Sequence, residues 1–216
     1  MQDSLNLRKI LHQAFEPMLN RFACARFLMS GANLDDLPAG DRPEVAFAGR
    51  SNAGKSSALN RLCAQKGLAR VSKTPGRTQL LNYFEIAEGW LVDLPGYGFA
   101  QVPRGVRDAW GELVTGYIQS RETLRGLVLV MDARHPLTPF DRQMLAWVAA
   151  QHLSCHVLVT KADKLRFGAM KKTLAEVKAA MPMLHAQATV QMFSSETSMG
   201  LDEARARILE MVVKED

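Results

Sequence analysis

A chain of 216 residues, 47% hydrophobic and 23% charged, is long enough for one domain, or one domain with an appendage, around a substantial core. No apolar run approaches the ~18 residues that a membrane-spanning helix needs, and the N-terminus shows no continuous apolar segment of the secretory kind, so a cytoplasmic protein without membrane contact is expected. A net charge of +5 and a pI near 9.3 suit an acidic partner such as RNA without establishing one.

The three cysteines, Cys24, Cys63 and Cys155, are odd in number and far apart. That excludes a disulfide framework or a paired metal site, and each is expected as a small apolar core residue in a reducing compartment. Near the N-terminus, Leu7, Ile10, Leu11, Ala14, Phe15, Met18 and Leu19 recur at helical spacing, with Arg8, Lys9, His12, Gln13 and Glu16 on the other side. This predicts an amphipathic extension over 1–21, beside a single domain over 22–213. A strand is expected within 22–30, a connector rich in Asp, Gly and Pro over 31–43, and a short buried strand over 44–48. A loop at 49–56 then opens a helix. The stretch 71–79, polar, basic and broken by Pro75-Gly76, reads as a second loop, and 80–86 with 90–92 as a hairpin. After Asp93-Leu94-Pro95-Gly96, the stretch 97–105 reads as a mobile loop. Helices over 106–120, 138–152, 169–180 and from 201 alternate with apolar strands over 126–131, 155–159 and 189–193. The alternation predicts an α/β fold with a doubly wound, mostly parallel sheet flanked by helices. Ligands of such sheets bind at the carboxyl ends of the strands, where the polar motifs fall.

The segment Gly49-Arg50-Ser51-Asn52-Ala53-Gly54-Lys55-Ser56 fits the phosphate-loop pattern GxxxxGK[ST] at every fixed position, between a strand and a helix. Gly49 and Gly54 let the backbone turn tightly, and successive N–H groups with the positive end of the helix face the anion. Lys55 would neutralise the β- and γ-phosphates, and the Ser56 hydroxyl is a candidate Mg²⁺ ligand. Thr160-Lys161-Ala162-Asp163 selects the base. A carboxylate at the end of a buried strand can accept from the ring N–H and the exocyclic amino group of guanine, a donor pair that adenine lacks. The Lys161 stem can lie along the base with its ammonium in water, and Phe193-Ser194-Ser195 can offer backbone N–H groups to the guanine carbonyl. In Asp93-Leu94-Pro95-Gly96 the carboxylate can hold Mg²⁺, directly or through water, while the Gly96 N–H can approach the γ-phosphate. Thr78, preferred over Thr74, is the second candidate metal hydroxyl. Lys55, Thr78 and Gly96 form the candidate catalytic set, and the loops holding Thr78 and Gly96 are candidate switches, ordered by γ-phosphate and Mg²⁺.

Together these segments, with Lys73-Thr-Pro-Gly-Arg-Thr-Gln79, Val92-Asp-Leu-Pro-Gly-Tyr-Gly98 and Thr160-Lys-Ala-Asp-Lys164, resemble the EngB (YihA/YsxC) family of bacterial GTPases. The resemblance runs from about Phe22 to the C-terminal helix and does not cover the first residues. It implies a Ras-like P-loop GTPase fold, Mg²⁺-dependent binding of GTP and GDP, and slow hydrolysis. It further implies a role in assembly of the large ribosomal subunit, with rRNA and ribosomal proteins as partners, and a need for the protein in normal cell division and septation. It also extends the nucleotide-binding set to Gly76, Arg77, Thr78, Gln79 and Leu80. Related GTPases with Asn at the position of Asn52 hold K⁺ beside the phosphates, so K⁺ is a candidate second cation here. Ras-like GTPases often follow Asp-x-x-Gly with a Gln that orients the attacking water, whereas here Tyr97 takes that place. A monomer without DNA contact is expected. A GTP-gated protein-binding module in division is the alternative, and an ATP-dependent enzyme on the same loop a second. Arg70, Lys73, Arg77, Arg104 and Arg107, and separately Lys164, Arg166, Lys171 and Lys172, are either solvated faces or phosphate contacts to RNA. His152 and His156 lack a third metal ligand nearby and read as structural or surface residues.

Overall fold

Glu44–Gly49 (β2) and Leu124–Asp132 (β5) run side by side in parallel at the centre of one seven-stranded sheet, in a computed structural model that describes residues 21–70, 80–97 and 104–213. The other strands are β1 (Arg26–Gly31), β3 (Leu81–Glu85), β4 (Trp90–Asp93), β6 (Ser154–Thr160) and β7 (Thr189–Met192), in the order β1-β3-β4-β2-β5-β6-β7. Only β3 runs against the others, pairing antiparallel with β1 and β4. Among the described residues, five helices of eight residues or more cover the sheet: α1 (Lys55–Leu62), α2 (Arg104–Ser120), α3 (Pro139–Ala150), α4 (Phe167–Leu184) and α5 (Leu201–Val213).

Strand alternation sorts the helices onto two faces. Ala46, Ala48, Leu127 and Leu129 pack with Val114 and Tyr117 of α2, Leu145 of α3 and Val177 of α4. The intervening Val45, Phe47, Val128 and Val130 pack with Leu59 and Leu62 of α1 and Ile208 of α5. Both faces are therefore apolar, which is why β2 and β5 read as continuous hydrophobic runs. The start of α3 is set locally: Thr138 Oγ1 accepts from Asp141 N (3.3 Å), Asp141 Oδ2 accepts from Thr138 N (2.8 Å), and Pro139 fills the first helical position.

The doubly wound sheet agrees with the expected fold class. Strand β1 starts later than expected because residues 21–23 form a helical turn, and α4 runs beyond 180 through Pro182. Cys63 and Cys155 are buried, and burial pushes their thiols up to about 12. Cys24 is exposed, its thiol donating to the Arg21 carbonyl at 3.1 Å, so the expectation of a core residue fails there because the turn lies at the surface. Residues 1–20 of the expected extension over 1–21, the loop 71–79 and positions 98–103 of the expected loop 97–105 lie outside the described residues, and α2 begins at Arg104, inside that expected loop. Among the described residues, no helix is long and apolar enough to cross a membrane.

At the amino end of β2, opposite the phosphate loop, the carboxylate of Glu44 is fully buried. It accepts from Tyr117 Oη (2.7 Å), Arg121 Nε (2.7 Å), Thr123 Oγ1 (2.8 Å) and Tyr83 Oη (3.1 Å). Burial first, and then the Glu44 charge, raise the pKa of both phenols, which stay protonated donors.

Candidate nucleotide-binding site

Between Gly49, the last residue of β2, and Lys55, the first of α1, the backbone turns sharply. A Cβ on Gly49 would lie 2.6 Å from the Val130 carbonyl oxygen of β5, so the close approach of these strands requires glycine. Asn52 (φ +64°) and Gly54 (φ +103°) take left-handed conformations, which glycine adopts freely and asparagine tolerates. Ser51 N–H donates to the Tyr97 carbonyl (2.9 Å) and Ala53 N–H to the Arg50 carbonyl (2.9 Å). The N–H groups of Gly54, Lys55 and Ser56 have no acceptor among the described residues. Such donors at the start of a helix favour an anion, and phosphate fits them.

Asp93 ends β4 next to β2, with Asp93 in register with Phe47. Its carboxylate forms an ion pair with Lys55, each side chain only 10% exposed, so each charge is compensated within the site. The backbone then runs beside the phosphate loop: Leu94 N donates to the Phe47 carbonyl at 3.0 Å, and Arg50 and Tyr97 form a parallel bridge. Gly96 lies against Ser51, whose Oγ would be 2.9 Å from a Cβ there. Leu94 is buried and Pro95 accepts from Trp110 Nε1 at 2.9 Å through its carbonyl.

Thr160, Lys161, Ala162 and Asp163 follow β6. The Thr160 hydroxyl faces the carbonyls of Ala53 and Met131, tying this segment to the phosphate loop. Lys161 (φ +58°) places its ammonium 2.5 Å from the Asn52 carbonyl and 2.8 Å from Asp132 Oδ2. The expectation of an ammonium in water is thus corrected: the side chain bridges the phosphate loop and the end of β5. Asp132 also holds Arg134 at 2.7 Å. Burial works to raise the Asp132 pKa, but the hydrogen bonds from Arg134 and Lys161 outweigh it and hold the carboxyl well below its ordinary range.

Asp163 Oδ1 accepts from Ser194 Oγ at 2.7 Å, and Lys164 lies 2.9 Å from Oδ2. Ser194 first, then Lys164, lower the Asp163 pKa, so the group stays a carboxylate with an acceptor edge. Ser194 is itself fixed, its hydroxyl accepting from Glu196 N and Thr197 N, each at 3.2 Å. The Phe193 and Ser194 N–H groups are already used, by the Val159 (2.9 Å) and Met199 (3.1 Å) carbonyls. Of the three expected donors to a base carbonyl, only Ser195 N–H has no acceptor among the described residues.

The structure therefore brings the residues of 49–56, 93–96, 160–163 and 193–195 to one edge of the sheet, and Leu80 immediately precedes β3. Gly76, Arg77, Thr78 and Gln79 lie outside the described residues. Sequence reasoning missed Asp132, although its place after a continuous apolar strand was the same signal that marked Asp93. His156 is buried between Thr189 Oγ1 (2.7 Å) and Gln191 Oε1 (2.9 Å), and no group of three or more His, Cys, Asp or Glu placed to hold a metal ion occurs among the described residues.

Residues 44–161 match the family described as 50S ribosome-binding GTPase, so the fold and the site define a P-loop GTPase. A probable GTP-binding protein EngB of Coxiella burnetii (strain RSA 493 / Nine Mile phase I) is 52% identical over 183 residues, 84% of this chain and 89% of the relative. Another, of Thiobacillus denitrificans, is 53% identical over 194 residues, 89% of this chain and 92% of the relative. The chain belongs to the EngB family of GTP-binding proteins. Among solved structures, a probable GTP-binding protein engB aligns with a TM-score of 0.63 at 21% identity, covering 78% of this chain and 98% of that one. Era in complex with MgGDPNP and nucleotides 1506–1542 of 16S ribosomal RNA aligns with a TM-score of 0.62 at 20% identity, covering 82% and 59%. At these identities the two structures show the shared fold.

Proposed function

We propose that this protein binds GTP with Mg²⁺, hydrolyses it slowly in the cytoplasm, and uses the two nucleotide states to control association with a precursor of the large ribosomal subunit. Normal cell division and septation would depend on that step. Residues 22–213 would form the GTP-binding unit and 1–21 an extension. The observation that carries the reading is the single sheet edge on which a phosphate loop, the Lys55–Asp93 pair and the Asp163–Ser194 pair meet. The matching family's description and the Era–RNA complex support a ribosomal partner for this chain.

Each residue's role follows from its chemistry. Lys55 and the N–H groups of Gly54 to Ser56 would bind the phosphates, and Asp163 with Ser195 N–H would read guanine. Ser56 and Thr78 would hold Mg²⁺, with Asp93 close behind. The Ser56 hydroxyl has no partner among the described residues, and hydroxyl and carboxylate oxygens are the hard donors that Mg²⁺ prefers. Bound Mg²⁺ neutralises charge on the β- and γ-phosphate oxygens. Gly76, Arg77, Gln79 and Leu80 would cover the nucleotide, and the Gly96 N–H would meet the γ-phosphate. Asn52, whose side chain is exposed beside a carbonyl held by Lys161, would help to hold K⁺. The central test is sedimentation with large-subunit particles in GTP and in GDP. Stronger association in GTP than in GDP is expected. Capture of division proteins with no ribosomal particle in either nucleotide would overturn the ribosomal reading in favour of a protein-binding module. Faster hydrolysis in K⁺ than in Na⁺, lost in Asn52→Ala, is the expected result for the second cation.

A further inference from the structure

Several exposed or half-buried cations of this protein sit against acids: Arg26 and Arg42 against Glu85, Arg21 against Glu88, Arg134 against Asp132, Arg207 against Glu210. The outer face of α4 departs from that pattern. Arg166, just before the helix, and Lys171, Lys172 and Lys178 on it are all exposed, and none has an ion pair among the described residues. Glu176 is the single acid in the helix. At the head of this face Phe167 is 67% exposed, more than any other phenylalanine among the described residues, with the Lys171 ammonium 4.5 Å from its ring centroid. Lys171 is four residues and Lys178 eleven residues beyond Phe167, so the three share one stripe, about 16 Å long.

Leaving a phenylalanine in water forgoes about 1.5–3 kcal/mol of burial, and unpaired like charges on one helix repel each other. Both penalties are relieved by a partner that offers anionic groups together with flat apolar faces. An acidic peptide supplies only the first. A lipid surface calls for several large apolar side chains, but the exposed positions between Phe167 and Lys178 include Gly168, Ala169 and Ala175. A duplex keeps its base faces stacked. A strand with unpaired bases supplies both features, phosphates for the cations and a base for the ring, and the small residues let its backbone come close.

We propose that the outer face of α4 binds an unpaired segment of RNA, with one base stacked on Phe167 and phosphates following Arg166, Lys171, Lys172 and Lys178. The choice of RNA rests on the ribosomal reading above. Because α4 belongs to neither candidate switch loop, this contact forms in the GDP form as well as the GTP form.

The test uses the full chain saturated with GDP and Mg²⁺, titrated into a labelled 12-nucleotide RNA of mixed sequence and its abasic counterpart of equal charge. Phe167→Ala should weaken binding of the intact strand by about 5- to 100-fold, leaving the abasic strand and the salt slope as in the parent. The pair Lys171→Ala and Lys172→Ala should reduce the salt slope by about 1.4, that is about 0.7 per phosphate. Unchanged GDP affinity in every variant reports intact folding. The proposal is overturned if the parent binds no RNA at low salt, if Phe167→Ala binds the intact strand as the parent does, or if the lysine pair leaves the slope unchanged. Equal affinity for the matching DNA strand overturns the assignment to RNA. Sedimentation with ribosomal particles tests the ribosomal reading separately, since it can fail while the stacking and salt effects persist.

Discussion

Tyr97 follows Asp-x-x-Gly, where a water-orienting glutamine stands in many related GTPases, and its side chain is turned away from any such task. It is 2% exposed, packs against Trp110 (5.8 Å between centroids) and Phe140 (5.9 Å), and donates its hydroxyl proton to Asp141 Oδ1 at 2.6 Å. Burial first, and then Asp141, push the phenol pKa well above its ordinary value, so the proton stays in place. Tyr97→Phe keeps the ring packing and removes one hydrogen bond to a charged acceptor. Asp141 Oδ2 keeps the Thr138 N–H (2.8 Å) and hydroxyl (2.7 Å), but Oδ1 loses its donor inside the core. The expected loss is about 2 kcal/mol, read as a fall in Tm of about 4–8 °C for a domain of this size. The rate of GTP hydrolysis should not change. Tyr97→Gln should destabilise further without accelerating hydrolysis, because the shorter amide would lose the ring packing against Trp110 and Phe140 in the pocket under α3 and would not reach the phosphates. A drop in hydrolysis of about tenfold in Tyr97→Phe, at unchanged GTP affinity and Tm, would refute the reasoning and make the hydroxyl part of the reaction.

Asp163→Asn should weaken GTP roughly 100-fold and improve xanthosine triphosphate, because an amide cannot accept from both guanine donors; unchanged GTP affinity in competition assays would sink the role of Asp163. Stability should also fall in mild acid. Burial lowers the His156 pKa from 6.5 to about 4, so its contribution is complete above pH 6.5 and declines as pH falls toward 4. The loss is on the order of 3 kcal/mol across that window. Urea unfolding at several pH values should show that slope, and His156→Gln should flatten it. Glu44→Ala, which strands Arg121 and two buried phenols, should cost about 3–5 kcal/mol in urea unfolding, and a loss below about 1 kcal/mol would contradict the described network.

How much of this was legible in the sequence depended on the range of the forces involved. Strand and helix order followed from local periodicity, since β2, β5 and β6 are apolar on both faces. The phosphate loop and the guanine segment were legible because their spacing is itself the geometry. Glu44 was not, since Tyr83, Tyr117, Arg121 and Thr123 come from β3, α2 and the turn after it. The pairing of the site's lysines was hidden for the same reason, and its logic appears only with the strand order β4-β2-β5-β6. Lys55, after β2, meets Asp93 at the end of its neighbour β4; Lys161, after β6, meets Asp132 at the end of its neighbour β5. In each case a cation carried by the segment that follows one parallel strand is held by the carboxylate that ends the next. Register alone brings them together, with Asp93 beside Phe47 and Asp132 beside Thr160. A sequence can show which residue ends a strand, but which cation that residue will hold is decided by the order in which the strands lie side by side.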